Sequence, residues 1–302
     1  MVNGIIPAVV LPMDSSSNPD YDEYKKYMKW VKSAGVTGVA VNADTGEGPT
    51  LSEDERRHVV EAAREAVGNI IVVAGIIGTS TDSAVRAAKD AKRAGANVGM
   101  VFPNQAFAGV PLAPRGPVEY HRSISEGPDL DIILFQLQTS LGGIEYDAAT
   151  LTELSKLKHT VAIKEALFDA RKFAATLRLF RTVAPKVSFL TGNDNFVYES
   201  FVLGCDGALI GFGTLPVKDI VKMFELTKKG SVKEAGEIWS RLLPLADVIY
   251  GAPVRNYRAR TKVALAELGV ISEKSINMRL PLEAVSESER AVIRRALKAA
   301  EL

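Results

Sequence analysis

The chain has 302 residues, 47% apolar and 24% charged, a balance that supports a large packed core and excludes a disordered chain. With 37 Lys and Arg against 36 Asp and Glu, the net charge of +1 gives no electrostatic basis for binding nucleic acid or an anionic membrane. Cys205 stands alone, which excludes an intrachain disulfide and a cysteine-based metal cluster. His58, His121 and His159 lie far apart and fit no metal-ligand spacing, and His58 falls in a polar helical run that reads as surface. The start, Met1-Val2-Asn3-Gly4, lacks the basic and apolar regions of a signal peptide, and no apolar stretch is long enough to span a bilayer. The expectation is a cytoplasmic protein without a metal.

Short β-branched runs alternate with longer helical segments. Ile5 to Leu11 reads as a first strand, and Tyr21 to Ala34 as a helix stopped by Gly35. Gly38 to Asn42 is a second strand. Ser52 then opens a helix, with Glu55 three residues on completing a capping box. Further strands are predicted over Ile70 to Gly75, Asn97 to Phe102, Asp131 to Leu137, Thr160 to Lys164, Val187 to Thr191 and Gly207 to Gly211. Their helices are predicted over Thr81 to Ala94, Pro117 to Ser125, Asp147 to Leu157, Asp169 to Val183, Asn195 to Leu203 and Val217 to Lys229. Parallel neighbours need crossover helices, and such units in this number close into a (β/α)8 TIM barrel. An open doubly wound sheet competes, but no G-x-G-x-x-G turn follows the first strand.

Only helical patterns follow Gly230: Val232 to Ile249, Val254 to Leu268 and Leu282 to Ala300. The expectation is a barrel over residues 1–230 and a C-terminal appendage of about three helices over 231–302. The run Glu289, Arg290, Arg294, Arg295, Lys298 reads as the solvated face of the last helix.

Barrel chemistry sits at the C-terminal ends of the strands. There Lys164 is the anomaly, because it ends an apolar strand while most other lysines lie in polar helical stretches. A desolvated ammonium is disfavoured, and the neutral amine attacks ketones to form an imine. The bland alternative, a pair with Glu165, is weakened because strand alternation puts the two on opposite faces. The turn Asp44-Thr45-Gly46-Glu47 offers a hydroxyl and backbone N–H groups that suit a carboxylate, though polar βα loops of this kind are common. The apolar segment Ala106-Phe107-Ala108-Gly109-Val110-Pro111-Leu112 reads as a buried or interface loop, or as an apolar wall for the reactant.

Three features together resemble the dihydrodipicolinate synthase / N-acetylneuraminate lyase family. They are Thr45-Gly46-Glu47, Ile163-Lys164-Glu165, and Gly192-Asn193-Asp194 followed by Gly204-Cys205-Asp206-Gly207-Ala208-Leu209-Ile210-Gly211. The resemblance runs from about Gly4 to the C-terminal helices. It implies a class I lyase, aldolase or dehydratase, in which Lys164 forms a Schiff base with pyruvate or a related 2-oxo acid. It implies substrate contacts from Thr45, Gly46, Phe135, Ser140, Ile210 and Gly211, no metal or organic cofactor, and a homotetramer built from dimers.

The chain departs from the family pattern where a Tyr-Asn-x-Pro motif relays protons: Phe135-Gln136-Leu137-Gln138 stands there, and Phe135 has no hydroxyl. Ser140 replaces the arginine that holds a second carboxylate in the synthases, and Asn104-Gln105 replaces an aromatic pair. These departures argue against the lysine-pathway synthase activity. Asp44, or a water held by Thr45, is then the expected proton carrier. The alternatives are a catalytically impaired paralogue that still binds a 2-oxo acid, and a different cofactor-free barrel enzyme.

Overall fold

A computed structural model describes residues 2–108 and 114–302. The residues Gly109-Val110-Pro111-Leu112 of the apolar segment after the fourth strand lie outside the described residues.

Eight strands form one parallel sheet: β1 (Gly4–Ile5), β2 (Gly38–Val41), β3 (Ile71–Ile76), β4 (Val98–Val101), β5 (Asp131–Leu137), β6 (Thr160–Ala166), β7 (Ser188–Thr191) and β8 (Gly207–Ala208). Each is followed by a helix: α1 (Tyr21–Ser33), α2 (Glu53–Val67), α3 (Thr81–Arg93), α4 (Arg115–Glu126), α5 (Ala148–Ser155), α6 (Ala170–Val183), α7 (Val197–Val202) and α8 (Val217–Lys228). The pairing runs from β2 through β8 and on to β1, and a parallel bridge from Ala8 to Ala40 joins β1 back to β2. This is the TIM barrel the alternation predicted, and the open doubly wound sheet is excluded.

The first strand is shorter than predicted. Pro7 has no N–H to donate, so regular pairing stops before it. The chain stays extended, since Ala8 N–H donates to Ile210 and Val9 N–H to Ala40. Gly4 is the register partner of Gly207, and its φ of +73° is left-handed, so the closing seam is built from two residues without side chains.

Strand alternation sorts the apolar residues into two layers. Ile6, Ala8, Ala40, Val73, Met100, Ile133, Phe135, Ala162, Leu190 and Leu209 fill the barrel interior. The other faces of the strands meet the helices in a larger outer core. Helix starts follow their caps: Ser52 and Glu55 make the predicted capping box on α2, worth about 1 kcal/mol.

Three further helices follow the barrel, α9 (Val232–Tyr250), α10 (Tyr257–Glu267) and α11 (Glu287–Ala299). The charged run on α11 is only partly a solvated face. Arg295 and Lys298 are exposed, whereas Arg294 bonds Glu267 at 2.8 Å and Glu289 pairs with Arg260 at 3.3 Å, tying α11 to α10. His58 is exposed, as its polar surroundings predicted.

Candidate active site

The C-terminal strand ends and the start of α10 enclose one pocket. Lys164 forms its floor, between Ala162 and Ala166 on the inward face of β6. The aliphatic stem passes the end of β7 at Gly192, where a Cβ would sit 2.7 Å from Lys164 Cε. Phe135, the register partner on β5, lies with its ring centroid 4.3 Å from Nζ, and Phe102 meets that ring edge-on at 5.3 Å.

Lys164 is 9% exposed and makes no ion pair within hydrogen-bond reach among the described residues. Burial lowers its pKa to about 8, against the raising effect of the Asp194 and Asp44 charges. At pH 7 that leaves roughly a tenth of the amine neutral, against a few parts in ten thousand for an ordinary lysine. Glu165 points the other way and accepts from Asn193 Nδ2 at 2.7 Å, so it is not the partner of Lys164.

The turn after β2 approaches the amine from the opposite wall. Glu47 N–H and Gly48 N–H bond back to Asp44 and Ala43 carbonyls, while those of Thr45 and Gly46 meet no acceptor among the described residues. Gly46 is required by close approach, since a Cβ would stand 2.9 Å from the Val9 carbonyl. Glu47 holds a left-handed φ of +56° and is fixed by a fully buried 2.6 Å pair with Lys262 on α10. Two free donors beside a hydroxyl form a place for a carboxylate.

Asp44 is not the free base the sequence suggests. Arg258 holds its Oδ1 at 2.5 Å and Arg255 its Oδ2 at 2.9 Å, while Tyr257 stands 3.4 Å from Oδ2. The same pairs answer its charge. Lys164, Arg255 and Arg258 outnumber Asp44 and Asp194, so the field at the pocket favours an anionic ligand.

Asp194 follows β7, is buried, and accepts from Phe212 N–H at 2.8 Å. Burial raises its pKa to about 6, with that hydrogen bond and Lys164 opposing. Tyr250 closes α9 and Tyr257 opens α10. Their rings stack with centroids 4.9 Å apart and planes 16° from parallel, and both line the pocket. Tyr257 Oη lies 3.2 Å from Thr45 Oγ1. The Tyr250 hydroxyl is buried without a hydrogen bond, although Asp194 is near enough to act on its proton.

The structure thus brings Lys164, Asp44, Thr45, Phe135 and Gly211 around one pocket. Gly46 sits behind Thr45, and Ile210 is buried with its carbonyl accepting from Ala8 N–H. Ser140 does not line the pocket: it is exposed and donates to Gln138 Oε1 at 2.7 Å, because a short 3-10 turn over Thr139–Leu141 carries it outward. Leu141 of the same turn faces inward instead. Asp194, Tyr250, Tyr257 and Arg255 are additions. Asp194 stood in the quoted motif, but the other three come from the segment read as an appendage.

The model of the dihydrodipicolinate synthetase family matches residues 1–300. The chain belongs to that family. It is, with it, a lyase of the class I, imine-forming type. The 4-hydroxy-tetrahydrodipicolinate synthase 2 of Clostridium acetobutylicum is 29% identical over 289 residues, 95% of this chain and 96% of the relative. A monomeric dihydrodipicolinate synthase variant has the same fold at TM-score 0.90 and 26% identity, covering 100% of this chain and 97% of its own. The Acinetobacter baumannii dihydrodipicolinate synthase, solved with pyruvate, gives TM-score 0.86 at 24% identity, covering 100% and 99%; at that identity the likeness is one of fold.

Proposed function

We propose that the chain forms a Schiff base between Lys164 and pyruvate or a related 2-oxo acid, and makes or breaks a carbon–carbon or carbon–oxygen bond beside it. The observation that carries this reading is the buried, unpaired amine of Lys164 at the floor of a pocket with a donor-rich turn opposite. Thr45 and Gly46 hold the 2-oxo acid carboxylate through N–H groups and the Thr45 hydroxyl, leaving the ketone over Nζ. The imine then serves as the electron sink.

The second reactant, in this reading, differs from that of the lysine-pathway synthase. Ser140 replaces the arginine of that activity and faces away, and Phe102, Phe135, Leu137, Leu141, Phe168 and Val254 make the outer wall apolar. Such a wall suits a neutral, apolar or aromatic aldehyde fragment better than a second carboxylate. The family resemblance adds an expectation of a cytoplasmic homotetramer; light scattering on the purified chain measures the assembly. No described helix is long and apolar enough to cross a membrane.

Incubation with pyruvate and borohydride tests the first claim by mass: one reduced adduct per chain is expected. No adduct with pyruvate or a panel of 2-oxo acids overturns it. Condensation assays with aromatic aldehydes and with aspartate semialdehyde test the second; a preference for the semialdehyde overturns it. Phe135 favours one other reading, binding without turnover. A trapped adduct with no turnover on any hydroxylated 2-oxo acid would establish that instead.

A further inference from the structure

Phe135 leaves the pocket without the strand hydroxyl that a proton transfer at the imine needs, yet two hydroxyls reach the same space from outside the barrel. Tyr250 and Tyr257 converge where α9 ends and α10 begins, stacked ring on ring. Tyr257 Oη meets Thr45 Oγ1 at 3.2 Å. Tyr250 Oη is buried, unpartnered and packed against Gly211 so closely that any side chain there would run into it; the same Cβ would also stand 3.1 Å from Thr45 Oγ1. A buried hydroxyl without a fully formed hydrogen bond costs roughly 1–3 kcal/mol, and the Asp194 carboxylate is the group near enough to accept from it.

We propose that the stacked pair Tyr250–Tyr257 is the proton relay of the Lys164 site, joined to Thr45 at one end and to Asp194 at the other. The proposal rests on the imine reading above. In imine formation the amine nitrogen bonds C2 of the 2-oxo acid and the ketone oxygen leaves as water. Counted from the ammonium form, two of the three Lys164 protons depart with that oxygen and the third stays on nitrogen, which leaves the protonated imine. Tyr257 gives its own proton to the oxygen and regains one through Thr45, so the relay ends as it began. In the protonated imine a C3 proton then passes to Tyr250 as the Tyr250 proton moves to the Asp194 carboxylate. The C3–H electron pair becomes the C2–C3 double bond, and the C=N pair returns to nitrogen, giving the enamine. Burial keeps both phenols protonated and so fit to shuttle rather than to act as free phenolates. Asp194, held near 6 by burial, exchanges a proton close to neutrality.

Exchange of pyruvate methyl protons in D2O, followed by NMR, reads this step without any second substrate. The Tyr250→Phe/Tyr257→Phe double variant keeps both stacked rings and loses only the hydroxyls. It should exchange about 10²–10⁴-fold more slowly than the parent, the range of a lost general acid–base. Its borohydride adduct should still reach the parental end point, because the imine equilibrium does not depend on the relay. A double variant exchanging within about threefold of the parent overturns the proposal, since a merely structural stack would leave the rate untouched. Should the double variant lack a cooperative thermal transition, Tyr250→Phe alone carries the same test with the same two outcomes, since Tyr250 takes the C3 proton. Absence of any adduct in the parent itself would instead refute the imine reading.

Discussion

Two lysines are buried at the mouth of this barrel, and they have opposite characters. Lys262 on α10 is fully enclosed, paired with Glu47 at 2.6 Å and bonded to the Asn277 carbonyl at 2.7 Å. Lys164 on β6 is nearly as buried but has no such partner, and it opens into a pocket. Burial lowers the proton affinity of both, and in Lys262 the Glu47 charge works against it. The difference teaches that burial alone does not make a nucleophile. A lysine whose charge is answered becomes a fastener, here for the turn after β2. One whose charge is unanswered is free to lose its proton and react. Glu165 marks a third case: buried, with one carboxylate oxygen unpartnered, yet facing the helices where no substrate reaches.

The largest expected effect is the loss of chemistry in Lys164→Ala. Both adduct formation and pyruvate proton exchange should fall to background, while the Lys262→Met variant should still form an adduct wherever it is folded. Next is stability. Lys262→Met leaves the Glu47 carboxylate buried and unpaired, and should cost about 3–5 kcal/mol in denaturant unfolding. A loss below about 1 kcal/mol would mean that the pair is not the fastener described.

Lys164→Met should act in the other direction. The folded-state pKa is depressed to about 8 from 10.5, so the unfolded chain binds more protons between those values. The parent therefore gains stability as pH rises through that window, and carries the full cost of the buried charge below it. At pH 7 the methionine variant should be more stable by about 3 kcal/mol, with the gap closing towards pH 10. A gap that stays constant from pH 7 to pH 10 would break the contrast with Lys262. The smallest effect is expected at Glu165, whose pKa burial raises from 4.5 to about 7. There the parent loses stability as pH rises through that range. Glu165→Gln should gain on it by about 2.5 kcal/mol between pH 5 and pH 8, measured by urea titration at each pH.

The fold was legible because its signals are local. Each β-branched run and each capped helix announces itself within a dozen residues, and the βα alternation leaves few ways to close the sheet. Lys164 was legible for the same reason, as an amine ending an apolar strand. Phe135 entered the site through the family motif, and the structure makes it the β5 register partner of Lys164. The rest of the site was not local. Asp44 meets Arg255 and Arg258 across more than two hundred residues, and Thr45 meets Tyr257 across 212. Nothing in the helical pattern of α9 and α10 says that their junction turns two tyrosines towards β2. Asp44 read as a free carboxylate because its guanidinium partners lay in what looked like an appendage. Ser140 was misplaced because a motif offset fixes sequence position, not the direction in which a 3-10 turn carries the side chain.

The contrast between the two lysines comes down to where a ketone acid attaches. Peptide mapping of the parent after pyruvate and borohydride treatment at neutral pH measures this directly. The reduced adduct should lie on the peptide bearing Lys164 and on no other, with Lys262 unmodified. An adduct on Lys262, or one spread over exposed lysines while Lys164 stays intact, would contradict the assignment of Lys164 as the nucleophile.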